Sequence, residues 1–351
     1  MKVLCLFNRI KGPLVSDIQE GKESDNSFFG MYRLRQHGVS AEFLEVEQFF
    51  PPRIARFLRR NFLNIHYIHL PLIPKFLKYD IVFTSTSFGS LLLKAIFRIK
   101  KPKWIMFDFS ISGMIGEKKT FRQKVFHYIV SHGTDGVITI SQREEDRIKK
   151  IFPKISDRVK FIPLGTDTNF FKPNDAIPET GGLLAVGKDP FRDYQTLIKA
   201  VKETNIPLTI ITRPEHIKPF LPLPENIQSK TVTTKELLNE YSEAKIFVLS
   251  LTTKGGLNEA VGTSTLVEAM AMGKAIIATR TFTMQSYIQD GVNGILVPEG
   301  DFLAMKRAIF DLWNDEEKRK RLGRSAREFV IKNCDAEKFA ETLANYFKAL
   351  K

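Results

Sequence analysis

The sequence predicts an α/β protein built from two Rossmann-like domains in tandem, and three observations carry that expectation. Short apolar runs such as Lys2–Phe7, Leu183–Val186 and Ala275–Ala278 lack strict alternation, as suits parallel strands buried on both faces. Segments of helical periodicity separate them, which implies right-handed crossovers between strands of one sheet. The pattern then restarts after KPNDAIPETGG at 172–182, a bridge rich in Pro, Gly and polar residues. With 351 residues, 43% of them hydrophobic, the chain can furnish two cores.

In the first half, strand Lys2–Phe7 is followed by NRIKGPLVSDIQEG, which has no G-x-G-x-x-G and so argues against a nicotinamide dehydrogenase. A helix over Ser27–Gln36, stopped at Gly38, precedes strand Ala41–Val46. Strand Asp80–Thr84, helix Ser90–Arg98, strand Trp104–Phe107, helix Phe121–Ser131, strand Gly136–Ile140, helix Ser141–Ile151 and strand Val159–Pro163 complete this half. The second half opens with strands Leu183–Val186 and Pro207–Thr212 and a proline-broken segment through Pro224. Helix Lys235–Ala244 and strand Lys245–Ser250 follow. After Thr279 come a turn at Asp290–Gly294, strand Ile295–Val297, and helices Asp301–Trp313, Glu316–Asn333 and Ala336–Leu350.

The formal net charge of +14 favours a polyanionic partner: nucleic acid, anionic lipid or a phosphorylated substrate. Within Pro51–Lys78, the residues Arg53, Arg56, Arg59 and Arg60 alternate with Ile54, Phe57, Leu58, Phe62 and Leu63. That spacing suits an amphipathic basic helix on an anionic membrane, and equally a core helix with a solvated basic face. Further basic groups lie at Lys94–Lys103 and Lys118–Lys124. No RNA-recognition, KH, helix-turn-helix or zinc signature accompanies the charge, so no nucleic-acid partner is expected. The cysteines, Cys5 and Cys334, are too far apart in sequence to suggest a metal site or disulfide framework, and a reducing cytosol fits. MKVLCLFNRI is expected to be a first strand rather than a signal peptide, and no apolar run approaches the roughly 20 residues of a membrane span.

The richest stretch is Gly255–Thr279, GGLNEAVGTSTLVEAMAMGKAIIAT. A glycine-bearing loop runs into Thr263, Ser264 and Thr265, then a short helix carrying one acid, Glu268, then Gly273 and a strand. A helix start with hydroxyls holds phosphate oxygens, and an acid one turn inside can accept two hydrogen bonds from a ribose diol. The alternative is local: Thr265 and Glu268 have capping-box spacing, and Gly273 would then merely end the helix.

The run LVEAMAMGKAIIATRTFTMQSYIQDGVNGILVPEGD resembles the nucleotide-sugar signature of family 4 glycosyltransferases of the GT-B fold. The resemblance implies that Glu268 binds the donor ribose, with Leu266 and Gly262–Thr265 beside it. The family usually places a second Glu eight positions earlier; here that position is Ala260, with Glu259 one residue before it. Either Glu259 takes its place, or groups around Gly262–Ser264 do, or the sugar grip is lost. GTDTNFFKP resembles the family's hinge through Gly165, Asp167 and Phe171, and GKDPFRDYQTLIKAV places Gly187, Lys188 and Arg192 where the family clamps the donor diphosphate. Positioned cations stabilise the charge of a departing diphosphate, although Lys at 188 lacks the guanidinium fork. Arg213 and Thr231–Thr234 fall where the base is usually met. Phe28, Phe29 and Gly30 fall at the family's acceptor site, or alternatively in the core. Asp108 and Ser110 stand where relatives carry a His; Asp108 either acts on the sugar or caps the turn.

What the resemblance implies is a GT-B protein with an acceptor domain at 1–170, a donor domain at 171–333, and residues 334–351 crossing back to the first. It implies a retaining, metal-independent hexosyltransferase using a UDP- or GDP-sugar, with no cofactor and a lipid-linked or cell-surface glycan acceptor. Its expected place is cytoplasmic, peripheral on the inner membrane face. The alternative is a nucleotide-binding or interaction protein that kept the fold without turnover.

Overall fold

The computed structural model of the chain describes residues 1–7, 11–45, 73–85, 88–108, 111, 120–253 and 260–350. It divides into two compact units, the first comprising 1–21, 25–163 and 337–351, the second 22–24 and 164–336.

The first unit holds a six-stranded sheet in the order β2-β1-β3-β4-β5-β6. Its strands are β1 Lys2–Phe7, β2 Ser40–Glu45, β3 Ile81–Thr84, β4 Lys103–Asp108, β5 Gly136–Thr139 and β6 Val159–Phe161, and every pairing is parallel. Apolar residues of β1, β3 and β4 are buried on both faces, as the unalternating runs require. The second unit repeats the plan with β12-β11-β10-β7-β8-β9, again parallel throughout. These are β7 Leu183–Val186, β8 Leu208–Ile211, β9 Ile227–Lys230, β10 Ile246–Leu249, β11 Ala275–Thr279 and β12 Ile295–Val297. Side chains alternate between two cores: Leu184, Val186, Phe247, Leu249, Ile276 and Ala278 enter one. Leu183, Ala185, Ile246, Val248, Ala275 and Ile277 enter the other, under helices Tyr194–Val201 and Phe302–Asn314.

Several expectations are corrected. The expected helix over Ser27–Gln36 is two 3-10 segments, Asp25–Phe28 and Met31–His37, because Phe29 and Gly30 both take left-handed backbone (φ 50° and 73°). Within the segment expected to be loop, Gly12–Gln19 is a helix with Pro13 in its first turn, where a missing N–H leaves nothing unsatisfied. Strand β9 lies beyond the proline-broken segment and had no expectation attached to it. The boundary between units falls after Pro163 rather than at 170, since the Leu164 amide donates to Tyr287 Oη (2.9 Å) and Phe171 enters a core of the second unit. The bridge at 172–182 is tied down too: Glu179 pairs with Lys274 at 2.7 Å. Helix Ala336–Leu350 belongs from Glu337 onward to the first unit, where Phe347 meets Phe83 edge to face and Tyr346 donates to Arg158 O. The segment carrying Arg53, Arg56, Arg59 and Arg60 lies outside the described residues.

Candidate functional site

In the second unit the chain runs outward from β7 through β8 to β9 and then returns to lay β10 on the other side of β7. Loops leaving the carboxyl ends of β7 and β10 therefore diverge and leave a crevice between them, the place where open parallel sheets bind ligands. Gly187, Lys188 and Arg192 lie on the first loop; the segment reaching helix Thr263–Ala271 leaves the second.

Arg192 joins the two loops. Its Nε donates to Asp189 Oδ2 (2.8 Å) and its Nη2 to Thr265 Oγ1 (3.1 Å), while its Nη1 is buried with no partner. The guanidinium is only 5% exposed, so its position is set by packing rather than by solvent. Gly187 makes room for it: a Cβ there would lie 2.0 Å from Arg192 Nε. Tyr194 Oη donates to Gly187 O (2.7 Å), and burial raises that phenol's pKa, keeping the donor protonated. Asp193 caps helix Tyr194–Val201 through the Thr196 amide, and backbone bonds from Asp193 N to Ser250 O and from Thr252 N to Phe191 O bind the loop to the end of β10. The result is a fixed cation at the switch point.

The capping-box alternative for Thr265 and Glu268 is ruled out by the backbone. The helix starts at Thr263 with Gly262 as its left-handed N-cap (φ 82°), and no side chain caps it. Thr265 Oγ1 donates to Gly262 O (3.1 Å) and accepts from Arg192, so it serves the crevice. Thr263 is fully buried, and its hydroxyl and that of Ser250 find no partner. Glu268 sits deeper in the helix, its Oε2 3.5 Å from the hydroxyl of fully buried Tyr241. Burial, with the Glu268 charge beside it, holds the Tyr241 phenol well above its ordinary pKa, so it remains a donor to that carboxylate. Thr252 and Thr253 are both anchored on Glu299, with Thr253 N at 2.6 Å, before the chain enters the undescribed 254–259, which include Glu259.

Residues 221–329 match the family described as Glycosyl transferases group 1. The chain is 25% identical over 303 residues to an uncharacterized glycosyltransferase, MJ1069, of Methanocaldococcus jannaschii, covering 78% of this chain and 76% of that protein. Among solved structures it superposes on Anabaena HepE in complex with UDP-glucose, with a TM-score of 0.72 and 14% identity over 99% of this chain and 100% of that one. Sucrose-phosphate synthase of Thermosynechococcus elongatus gives 0.71 and 18% identity, over 100% and 99%. The fold is GT-B.

On this GT-B scaffold, Gly187, Arg192, Gly262, Thr263, Thr265 and Glu268 flank one crevice of the second unit. Lys188 is exposed on the same loop, and Ser264 on the first turn of the helix. Leu266 is buried in a core, so its contribution is to packing. Arg213 is exposed after β8, 4.0 Å from Glu215, and makes no contact with the Arg192 cluster. In the first unit, Phe28 is fully buried among Phe7, Tyr32 and Phe43, which corrects its expected place at an acceptor surface. Phe29 is half-buried against Phe107, and a Cβ added at Gly30 would lie 3.0 Å from the Phe339 ring, too close for a side chain to be added freely. Asp108, 2% exposed at the end of β4, accepts from the Ile111 amide at 2.5 Å, the turn-capping role. Sequence reasoning missed Asp189, Thr252, Glu299 and Tyr241. Asp189, three residues before Arg192, was open to discovery as a carboxylate able to aim it.

Proposed function

We propose that the chain is a retaining, metal-independent glycosyltransferase that moves a hexose from a nucleoside-diphosphate sugar to an acceptor hydroxyl. The carrying observation is Arg192, a buried guanidinium oriented by Asp189 and Thr265 with Nη1 still unpartnered at the switch point. A preorganised cation there offsets the charge gathering on a departing diphosphate, without reorganising at the moment of reaction. Lys188 adds a second, mobile cation, and Glu268 is the acceptor for ribose hydroxyls. HepE was solved with UDP and with UDP-glucose, which supports a UDP-sugar as the first donor to try. The acceptor in this reading is a lipid-linked or cell-surface glycan precursor, met at a cytoplasmic membrane face to which the protein attaches peripherally. Two features support attachment. The net charge is +14, and exposed Phe97 and Phe121 stand on two helices that pack together in the basic first unit. Among the described residues no helix is long and apolar enough to cross a membrane.

The test is a thermal-shift panel of UDP, GDP, ADP and their sugar conjugates, with Glu268→Ala beside the unaltered chain. One nucleotide series is expected to raise the melting temperature by mass action, and the shift to vanish in Glu268→Ala. The same conjugate should slowly release free nucleoside diphosphate. Stabilisation without release would favour a binder without turnover, for which Ala260 at the second acid's position is the motivating residue. No shift with any nucleotide overturns the reading.

A further inference from the structure

The second unit carries another cavity, of about 540 Å³, at the opposite edge of its sheet. Its walls include Lys245 and Lys274, which immediately precede β10 and β11, and so it opens at the amino ends of the strands whose carboxyl ends face the Arg192 crevice. One strand length and one helix separate the two: helix Thr263–Ala271, ~13 Å long by its rise per residue, starts at the crevice, and Met272 and Gly273 just past its end line the cavity. The space is the size of a small-molecule site.

Its charge is lopsided. Six cations line it against three carboxylates, Asp175, Glu179 and Glu316. Glu179 is taken by Lys274 (2.7 Å) and Glu316 by Lys320 (2.6 Å). Among the described residues no carboxylate pairs with Arg319, Arg324 or Arg327. Arg319 is 9% exposed, and its Nη1 donates to Leu312 O and Trp313 O, but its buried Nε has no partner. Lys245 Nζ lies 4.8 Å from the centre of the Trp313 ring. Lys274 and Lys320 are ion-paired and Arg327 Nη1 donates to the Phe171 and Ala271 carbonyls, so Arg324 and the orphan Nε of Arg319 are the cationic groups left to meet an anion. The close passage of the walls is built in: a Cβ on Gly323 would lie 2.0 Å from Gly273 O, so only glycine lets helix Glu316–Asn333 come this near.

We propose that this cavity binds a small phosphate-bearing anion, at a site separate from the donor crevice. Arg324, exposed at the mouth, and the exposed Lys320, whose ammonium is shared with Glu316, meet the outer phosphate oxygens, and the Arg319 edge meets the inner ones.

The probe is pyrophosphate, titrated calorimetrically into the full chain at constant ionic strength. Variants are Lys320→Gln/Arg324→Gln and, for the crevice, Arg192→Gln. Loss of two charge-assisted contacts is expected to weaken the cavity's affinity by about tenfold or more in the double variant. Binding in Arg192→Gln should persist, and Lys320→Arg/Arg324→Lys should restore most of it. If pyrophosphate binding survives the double variant and disappears in Arg192→Gln, or if nothing binds, the proposal is overturned. The outcome is independent of the donor reading, since a chain that binds no nucleotide would still show the cavity's pyrophosphate signal lost only in the double variant.

Discussion

Gly187 and Arg192 show how one residue's missing side chain sets another's position. Arg192 Nε would lie 2.0 Å from a Cβ at 187, so Gly187→Ala must push the guanidinium off Asp189 and Thr265. Losing those bonds to a charged group is expected to cost about 1.5–3 kcal/mol of nucleotide binding, tenfold or more in Kd by titration. An unchanged affinity would remove Arg192 from the site. At this scale the cations were readable in GKDPFRD through its resemblance to the family's diphosphate clamp, since the local pattern alone also fits two surface cations at a strand–helix turn. The restraints on them were not. Asp189 is local, but Thr265 is 73 residues away, and nothing in either neighbourhood specifies that they meet.

Whole elements were legible where an apolar run or a helical period was bounded by clear turn or cap residues. Helix Glu316–Asn333 and strands Leu183–Val186 and Ile295–Val297 have the expected bounds. Short elements governed by backbone exceptions were less so: Phe29 adopts a left-handed conformation that non-glycine residues seldom take, and this splits an expected helix. The helix at Thr263 turned on the same kind of detail, since Gly262 as its left-handed N-cap moves Glu268 out of the first turn and out of any capping box. The basic segment Pro51–Lys78 is the element whose role is tested most directly. Co-sedimentation with anionic vesicles is expected to weaken when Arg53, Arg56, Arg59 and Arg60 become Gln, each cation contributing about 1 kcal/mol near such a surface. Binding that stays the same would remove that segment from the membrane reading, and Phe97→Ser/Phe121→Ser would then ask whether the described helices attach instead.

For the molecule as a whole, burial of titratable groups sets an alkaline limit. Burial pushes the Cys5 thiol from 9.0 up to about 12, and raises Cys334, Tyr241 and Tyr287 well above their usual ranges. Folded, these groups hold their protons while the unfolded chain loses them, so stability from this source is full below about pH 9. It is lost progressively as pH rises toward 12, and denaturant midpoints measured from pH 7 to 11 should fall above 9; a flat profile would contradict the burial of these groups. Two parallel-sheet halves and most of their strands and helices were legible in the sequence alone, because buried strands leave apolar runs and amphipathic helices a periodic pattern; helix Gly12–Gln19, the 3-10 segments before β2 and strand β9 left no such mark. Only the tertiary structure decided which carboxylate aims Arg192, that Phe28 belongs to the core, and that Lys320, Arg324 and Lys245 line one cavity. Those facts depend on strand order and on contacts between residues distant in sequence, and local pattern carries no information about which distant residues will meet.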